Sequence, residues 1–369
     1  MQKNLFYVGL DVDDKAFHGA IFSIRTGEFN QFCCRPTLKD LVKQLEKSKI
    51  DKKSLKICYE TCHIGFKLCR DLRERGYDCE VAASGLIPEL PSKRVKTDRL
   101  DSLKLAEHYA RGNLQFVYVP VQEDEAERDL IRSRSFIVDQ LKSLKLHILS
   151  ICKRQGLNFH LDYPGKKHFT EFHLVWLNRQ ISSCQIPMLK NNLNMLLAIY
   201  SQLEGDVASY NQLIEDLSQT EKYKEKVQTL NCFRGVKTLT SMTVITEIGD
   251  IARFVHPAKL VSYLGMGIRE YSSGGKERKM GLTKMGNSRA RTAIIEACQS
   301  AALEVKTSRW LFRRRENADP RAIALADKCM HRLHQKSRKM LARGKNRNVV
   351  KVACAREMIG FFWEALLAA

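Results

Sequence analysis

Four acidic residues in the first third of the chain have the type and spacing to do chemistry. Asp11 closes the apolar run Leu5-Phe6-Tyr7-Val8-Gly9-Leu10, and Glu60 closes Leu55-Lys56-Ile57-Cys58-Tyr59. Asp98 and Asp101 stand three apart at the start of a helical pattern, Asp101-Ser102-Leu103-Lys104-Leu105-Ala106-Glu107. Two carboxylates are thus expected at strand ends and two on one helix face. Converging carboxylates repel one another unless cations bind between them, and hard oxygen donors suit Mg²⁺ or Mn²⁺. Two such ions about 3.5–4 Å apart clamp the attacking and leaving oxygens of a phosphoryl transfer. Any one of these acids alone describes a turn residue, and Asp98 alone describes a helix cap or first-turn acid. The combination is what points to metal-assisted chemistry.

A second candidate is Ser272-Ser273-Gly274-Gly275, a glycine-rich loop after a segment at 260–271. Taken alone it describes an ordinary turn. Arg269, Lys276, Arg278, Lys279, Lys284, Arg289 and Arg291 flank it, against Glu270 and Glu277. Cations and loop N–H groups there suit a phosphate, and a serine among them suits nucleophilic attack on phosphorus.

The charge balance names the kind of partner. Lys and Arg total 62 against 41 Asp and Glu, a net charge of +21 over 369 residues. That excess calls for a polyanion, with nucleic acid the first candidate and an anionic membrane surface the second. Residues 306–356 hold 16 Lys and Arg, among them Arg313, Arg314, Arg315, Arg343 and Lys345, against three acids. Phosphate contact without sequence specificity is the expectation for that segment. Its Trp310 and Phe312, with Phe361, Phe362 and Trp363, are expected in the core rather than stacked on bases. His160, His168 and His173 are expected to be neutral rather than metal ligands. No apolar run reaches about 18 residues, so no membrane span is expected, and the start has no signal-peptide anatomy. A cytoplasmic protein is the expectation. The twelve cysteines include no Cys-x-x-Cys pair, which predicts free thiols rather than a zinc framework.

The elements that must hold these groups follow from periodicity. Strands at 4–12, 16–24, 29–33, 55–59 and 79–83 alternate with helices at 38–48, 65–76 and 101–111, which predicts an α/β domain over 1–120. Its chemistry would gather at one edge of the sheet. Leu130, Ile137, Leu141, Leu144, Ile148 and Ile151 follow steps of three and four broken only at Arg134, and Leu189, Leu193, Leu196, Tyr200, Leu203, Val207, Tyr210, Ile214 and Leu217 repeat them without a break. These heptad-like stripes predict a long helical region over 121–226. Either they pack within one domain or they form an antiparallel coiled-coil pair that also dimerises. Residues 156–187 between them are expected to connect. A mainly helical domain fills 227–369, with a helical hairpin around Gly235, a helix at 287–305 and a final apolar helix at 349–367. The hairpin Phe233-Arg234-Gly235-Val236-Lys237 is either a plain helical turn or a helix-hairpin-helix element that binds DNA backbone.

Together these residues resemble the insertion-sequence family 110 transposases, the bridge-RNA-guided DEDD recombinases. The likeness runs over nearly the whole chain. Tyr7-Val8-Gly9-Leu10-Asp11, Tyr59-Glu60 and Lys96-Thr97-Asp98-Arg99-Leu100-Asp101 look like the family's RuvC-like, RNase H-like domain. Glu247-Ile248-Gly249-Asp250-Ile251-Ala252-Arg253-Phe254, Arg269-Glu270-Tyr271-Ser272-Ser273-Gly274-Gly275-Lys276, Thr283-Lys284-Met285-Gly286-Asn287 and Ala342-Arg343-Gly344-Lys345 look like its transposase domain. The resemblance implies divalent metal on Asp11, Glu60, Asp98 and Asp101. It implies a nucleophilic serine directly before glycine, hence Ser273. It also implies DNA ends and target as substrates, a structured noncoding RNA as guide, and a homodimer or dimer of dimers whose protomers share each site. The family's usual Ile-Pro-Gly-Ile-Gly hairpin is Phe233-Arg234-Gly235-Val236-Lys237 here, and 156–187 is longer than the family pattern. A RuvC-like junction nuclease using water, or a non-catalytic nucleic-acid scaffold, are the alternatives.

Overall fold

Alternation gives the first strand, β1 (Phe6–Val12), two different faces. Val8, Leu10 and Val12 are buried with Leu41, Leu45, Leu68 and Leu72, which come from α1 (Leu38–Lys47) and α2 (Lys67–Glu74). Tyr7, Gly9 and Asp11 fall on the other face by the period of two. There α3 (Asp98–Ala110) lies so close that a Cβ on Gly9 would sit 2.3 Å from the carbonyl oxygen of Ser102 and 2.5 Å from the amide of Ala106. Glycine is therefore what lets the helix rest on the strand. The computed structural model describes residues 5–88, 98–273 and 276–369, without the side chains of 98–99, 272–273 and 276–279.

The remaining strands of this sheet are β2 (Phe17–Ser23), β3 (Phe29–Cys34), β4 (Leu55–Glu60) and β5 (Asp78–Ala82). They stand in the order β3-β2-β1-β4-β5. The first three strands are antiparallel neighbours, while β4 runs parallel to β1 and to β5. The mixed sheet, covered by helices on both faces, agrees with the α/β pattern of the sequence. The chain divides into two compact units, Met1–Glu125 and Ala126–Ala369.

The second unit is helical. Its longest members are α4 (Gln122–Arg154, which starts in the first unit) and α7 (Pro187–Ser218). At 33 and 32 residues each spans about 50 Å. They run antiparallel: Glu127 meets Tyr223 just beyond α7, Arg134 meets Asn211, and Lys145 meets Glu204. Residues 156–187 do more than connect them. They form α5 (Phe159–Asp162) and α6 (Glu171–Ser183), whose Phe159, Trp176, Leu177 and Ile181 are buried with Leu141, Ile148, Leu193 and Tyr200 from the two stripes. Phe159 and Trp176 are the buried aromatic residues of that segment, while Phe172 is exposed.

The other end of the long pair joins a second core through Ile131 and Ile214. That core is built by α8 (Lys224–Asn231), α9 (Thr238–Ile248), α10 (Pro257–Tyr263), α11 (Ser288–Ala297), α13 (Pro320–Ala342) and α14 (Arg347–Ala368), and α12 (Arg309–Arg314) is tied to it by Arg314, which donates to the Val236 carbonyl. Between α10 and α11 stands a two-stranded sheet, β6 (Ile268–Ser273) and β7 (Lys276–Leu282). The helix expected at 287–305 ends at Ala297, followed by one 3₁₀ turn. Beyond it, the Ala301 carbonyl accepts from the Ser337 hydroxyl and the Glu304 carbonyl from Arg234, so tertiary donors replace helical ones. The last helix is as expected, with Cys354, Met358, Ile359 and Phe362 buried. No described helix is long and apolar enough to cross a membrane.

Candidate active site

The parallel register sets Leu10 of β1 opposite Tyr59 of β4. One step on, Asp11 and Glu60 occupy the same level, on the same face, of strands about 4.8 Å apart. The strand end beneath them is fixed by Tyr59, which donates from its hydroxyl to the Gly65 carbonyl at 2.8 Å and accepts from the Cys69 amide at 3.3 Å. Helix α3 crosses this face antiparallel to β1. Its Tyr109 ring meets Tyr7 at 5.1 Å, its middle covers Gly9, and its N-terminal end, with Asp98 and Asp101, points to the Asp11 end.

Two observations report the charge at this edge. The Cys62 thiol is pushed up by burial and then by Asp11, Glu60 and Asp14, against a lowering hydrogen bond from the Ile64 backbone. Beneath, the Cys58 thiol is pushed well up by burial and by the charges of Glu80 and Glu60. Glu80 itself accepts from the Tyr109 hydroxyl at 2.8 Å. Asp101 pairs with Lys104 at 3.1 Å. The Asp98 side chain lies outside the described residues, and among these no three His, Cys, Asp or Glu side chains gather into a group able to hold a metal ion. The pair the fold brings together is therefore Asp11 with Glu60. Its all-carboxylate chemistry fits a hard divalent cation, for which Asp98 and Asp101 would supply the further donors.

The two serines lie in a strand rather than in a loop: Ser272 pairs with Glu277 and Ser273 with Lys276. The side chains of Ser272, Ser273, Lys276 and Arg278, and all of Gly274 and Gly275, lie outside the described residues. Ile268, Arg269, Tyr271 and Met280 are exposed, Tyr271 at 71%. Among the described residues the two strands pair with no third strand.

What the sequence reading missed is the root of this hairpin. Glu247 in α9 is 1% exposed, yet charged. Arg132 of α4 donates to both its carboxylate oxygens at 2.8 Å, and the Asn287 amide donates to one of them at 2.6 Å. Burial pushes the Glu247 carboxyl up, but these hydrogen bonds and the Arg132 charge outweigh burial and hold it below its ordinary value. The Tyr263 hydroxyl donates to the Glu247 carbonyl at 2.9 Å, and the Asn287 amide nitrogen to the Tyr263 carbonyl at 3.1 Å. Tyr263 precedes the hairpin and Asn287 follows it, so one buried acid clamps both of its ends. Pairs 115 residues apart carry no local signal.

The other expected nucleic-acid residues divide. Arg269, Lys284, Arg289, Arg313, Arg343 and Lys345 are exposed. Arg314 donates to the Val236 carbonyl, and burial lowers its pKa. Arg315 is 8% exposed, donating to the Cys232 carbonyl at 3.0 Å and pairing with Asp327 at 2.8 Å. Both guanidinium groups tie α12 to the turn after α8. Trp310 and Phe312, expected inside, are exposed, because Leu311 between them fills the core. Phe362 is buried, and Trp363 donates to the Phe254 carbonyl at 2.7 Å. The three histidines sit together, with ring centroids 4.5 Å apart for His160 and His168 and 4.8 Å for His168 and His173. Burial, with its histidine neighbours, pushes the His173 imidazole down to about 4. A cavity of about 1410 Å³ opens at the other end of the sheet beside Phe6, Ser23 and Phe29, and neither Asp11 nor Glu60 lines it.

Sequence comparison places these features among known proteins. The profile of the Transposase IS116/IS110/IS902 family matches residues 227–312. A Sinorhizobium fredii protein named as a transposase, y4qE, is 33% identical over 306 residues, covering 83% of this chain and 74% of that protein. The transposase for insertion sequence element IS1533 of Leptospira borgpetersenii is 28% identical over 345 residues, 92% of this chain and 97% of its own. The transposase for element IS1111A of Coxiella burnetii is 28% identical over 243 residues, 64% and 65%.

Proposed function

The chain belongs to the IS116/IS110/IS902 transposase family, and we propose that it is an RNA-guided DNA recombinase acting through a covalent serine–DNA intermediate. Membership makes it a transposase of a mobile element, with DNA as substrate. The observation that carries the finer reading is the shared level of Asp11 and Glu60 on adjacent strands, with the start of α3 directed at the same edge. The strand order β3-β2-β1-β4-β5, antiparallel on one side of β1 and parallel on the other, supports an RuvC-like, RNase H-like assignment for 1–120.

In this proposal the Ser273 hydroxyl oxygen bonds to the scissile phosphorus while the bond to the leaving deoxyribose oxygen breaks. The serine proton is lost to solvent and the leaving oxygen gains one. Asp11, Glu60, Asp98 and Asp101 would hold Mg²⁺ or Mn²⁺, which when bound supplies positive charge at the phosphoryl oxygens. Arg269, Lys276, Arg278, Lys284 and Arg289, in or close after the serine hairpin in the sequence, would hold the phosphate. Arg313, Arg343 and Lys345 would serve the longer contacts to DNA and to a structured guide RNA. Arg315, buried against the Cys232 carbonyl and Asp327, is assigned to the fold. The helical region 121–226 is assigned to joining protomers, as a homodimer or dimer of dimers, and 227–369 to the transposase domain.

The test is a trapping assay. The chain is purified with its co-expressed RNA and given Mg²⁺ and labelled element-end DNA, and a denaturant-resistant protein–DNA adduct is sought. The adduct is expected to vanish with Ser273→Ala and Asp11→Asn and to persist with Ser272→Ala. Cleavage without an adduct, unchanged by Ser273→Ala, would leave water as the nucleophile and overturn the serine mechanism.

A further inference from the structure

A groove of about 780 Å³ runs between the turn after α8 and the start of α12. That volume is within the range of ligand sites. Among its described lining residues five are cations, Arg234, Lys237, Lys306, Arg313 and Arg314, and none is acidic, although Glu304 stands 3.8 Å from the Lys306 ammonium. Trp310 also lines it and is 72% exposed. A tryptophan so exposed is unusual for the side chain with most apolar surface to bury. It is also held in place. Leu311 anchors α12 in the core, the Ser308 hydroxyl caps the helix by accepting from the Leu311 amide at 3.2 Å, and the Arg313 guanidinium covers the indole with its carbon 5.4 Å from the ring centre.

We infer that this groove takes an unpaired nucleotide, its base stacked on Trp310 and its phosphate held by Lys237, Lys306 and the guanidinium groups behind them. The inference rests on the nucleic-acid reading above and gives it a strand preference. Cations alone would serve any phosphate backbone, paired or not. A rigid, exposed indole serves only a base whose face is free, and in a duplex that face is already stacked. Arg234 and Arg314 are tied to the Glu304 and Val236 carbonyls, so their charges are fixed in the groove wall rather than swinging in solvent. The groove is separate from the serine hairpin and from the carboxylate edge in sequence and in residues.

The chain has three tryptophans. Trp176 is buried and Trp363 is hydrogen-bonded at the core, so quenching of exposed indole emission reports Trp310. The full chain is titrated with oligo(dT), with oligo(rU) and with a mixed-sequence DNA duplex of equal length at one salt concentration. Both binding and emission are followed for the wild type, Trp310→Leu and the double variant Lys237→Gln with Lys306→Gln. The expected result is quenching by single strands that Trp310→Leu abolishes. Single-strand affinity falls roughly tenfold with that variant, while duplex affinity stays within about twofold. The double variant is expected to weaken single-strand binding and flatten its salt dependence. Preference for dT or rU would identify the strand as DNA or RNA, either one in keeping with the inference. Unchanged single-strand affinity in Trp310→Leu, or equal loss for duplex, would overturn it, as would displacement and equal quenching by polyglutamate. A wild type that binds none of the three nucleic acids would instead sink the broader nucleic-acid reading.

Discussion

Asp11 and Glu60 stand on adjacent interior strands of a sheet covered on both faces, whereas Ser273 ends a strand of a hairpin that, among the described residues, pairs with no third strand. The acids are positioned by register, by the buried Tyr59 hydrogen bonds and by a helix resting on Gly9. The serine is positioned from its root, through Tyr263, Asn287 and Glu247. An isolated hairpin is only marginally stable in water. The difference teaches where each half of the proposed chemistry gets its geometry: the carboxylates from their own fold, the serine from its clamp and from whatever the exposed Ile268, Tyr271 and Met280 meet when DNA is bound.

The largest effects should fall on activity with no loss of fold. Asp11→Asn is expected to lower strand cleavage by at least about 10²-fold, the scale for removing one electrostatic group at a reacting phosphate. Its thermal midpoint should hold or rise, because one repelling carboxylate is gone. Ser273→Ala should remove the adduct and leave the midpoint unchanged. Scanning calorimetry beside the cleavage assay checks both. A midpoint that collapses with Asp11→Asn would break the comparison, since the acid would then be part of the fold.

Next in size is the clamp. Arg132→Ala leaves the Glu247 carboxylate buried, with the Asn287 amide and the charge of Arg128 to offset it. Stripping one partner from a buried pair costs about 3–5 kcal/mol, and the half-exposed Arg132 puts this case near about 3. Urea unfolding measures it, and adduct formation should fall with it if the hairpin is held from its root. The pH dependence has a definite sign. Glu247 titrates below its ordinary 4.5 in the folded chain, so its contribution is present above that value and is lost as pH falls through the folded pKa. Acid unfolding of the wild type below pH 4.5 should therefore be steeper than that of Arg132→Ala.

Gly9→Ala tests the other half. The added methyl would overlap backbone atoms of Ser102 and Ala106, so α3 must move. Overpacking of this kind costs about 1–3 kcal/mol. Metal affinity, followed by Mn²⁺ binding, should fall along with stability, because the displaced helix carries Asp98 and Asp101. Stability lost with Mn²⁺ affinity intact would show that α3 supplies no ligand.

The sequence carried whatever was local and periodic. Val8-Leu10-Val12 announces a half-buried strand, and Leu193-Leu196-Tyr200-Leu203 announces a helix, because side-chain direction repeats every two or 3.6 residues. The acids at 11 and 60 were visible as strand ends, but their common level depends on the β1–β4 register, which no single segment encodes. The helix α6 hid in a segment too short and too rich in His and aromatics to show a stripe. Trp310 was expected inside on composition alone. Only the placement of Leu311 and Arg315 inward reveals that α12 turns the indole out. Glu247 looked like a motif residue without a role, since its partners lie 115 residues before and 40 after it.

The smallest expected effect sharpens the carboxylate side most. Lys104 pairs with Asp101 at 3.1 Å, in a partly exposed i,i+3 arrangement. Such pairs contribute about 0–1 kcal/mol, so Lys104→Gln should shift the urea midpoint by no more than about 0.5 kcal/mol in free energy. If Asp101 is a metal donor, however, the ammonium competes with the ion for the same oxygens. Removing it should then lower the Mn²⁺ concentration needed for half-saturation, by about threefold for roughly 0.7 kcal/mol of relieved competition. If Asp101 only caps the local charge of α3, metal affinity should stay where it was. The two outcomes separate a helix that brings ligands to the sheet edge from one that merely covers it, and do so without disturbing the strands on which Asp11 and Glu60 stand.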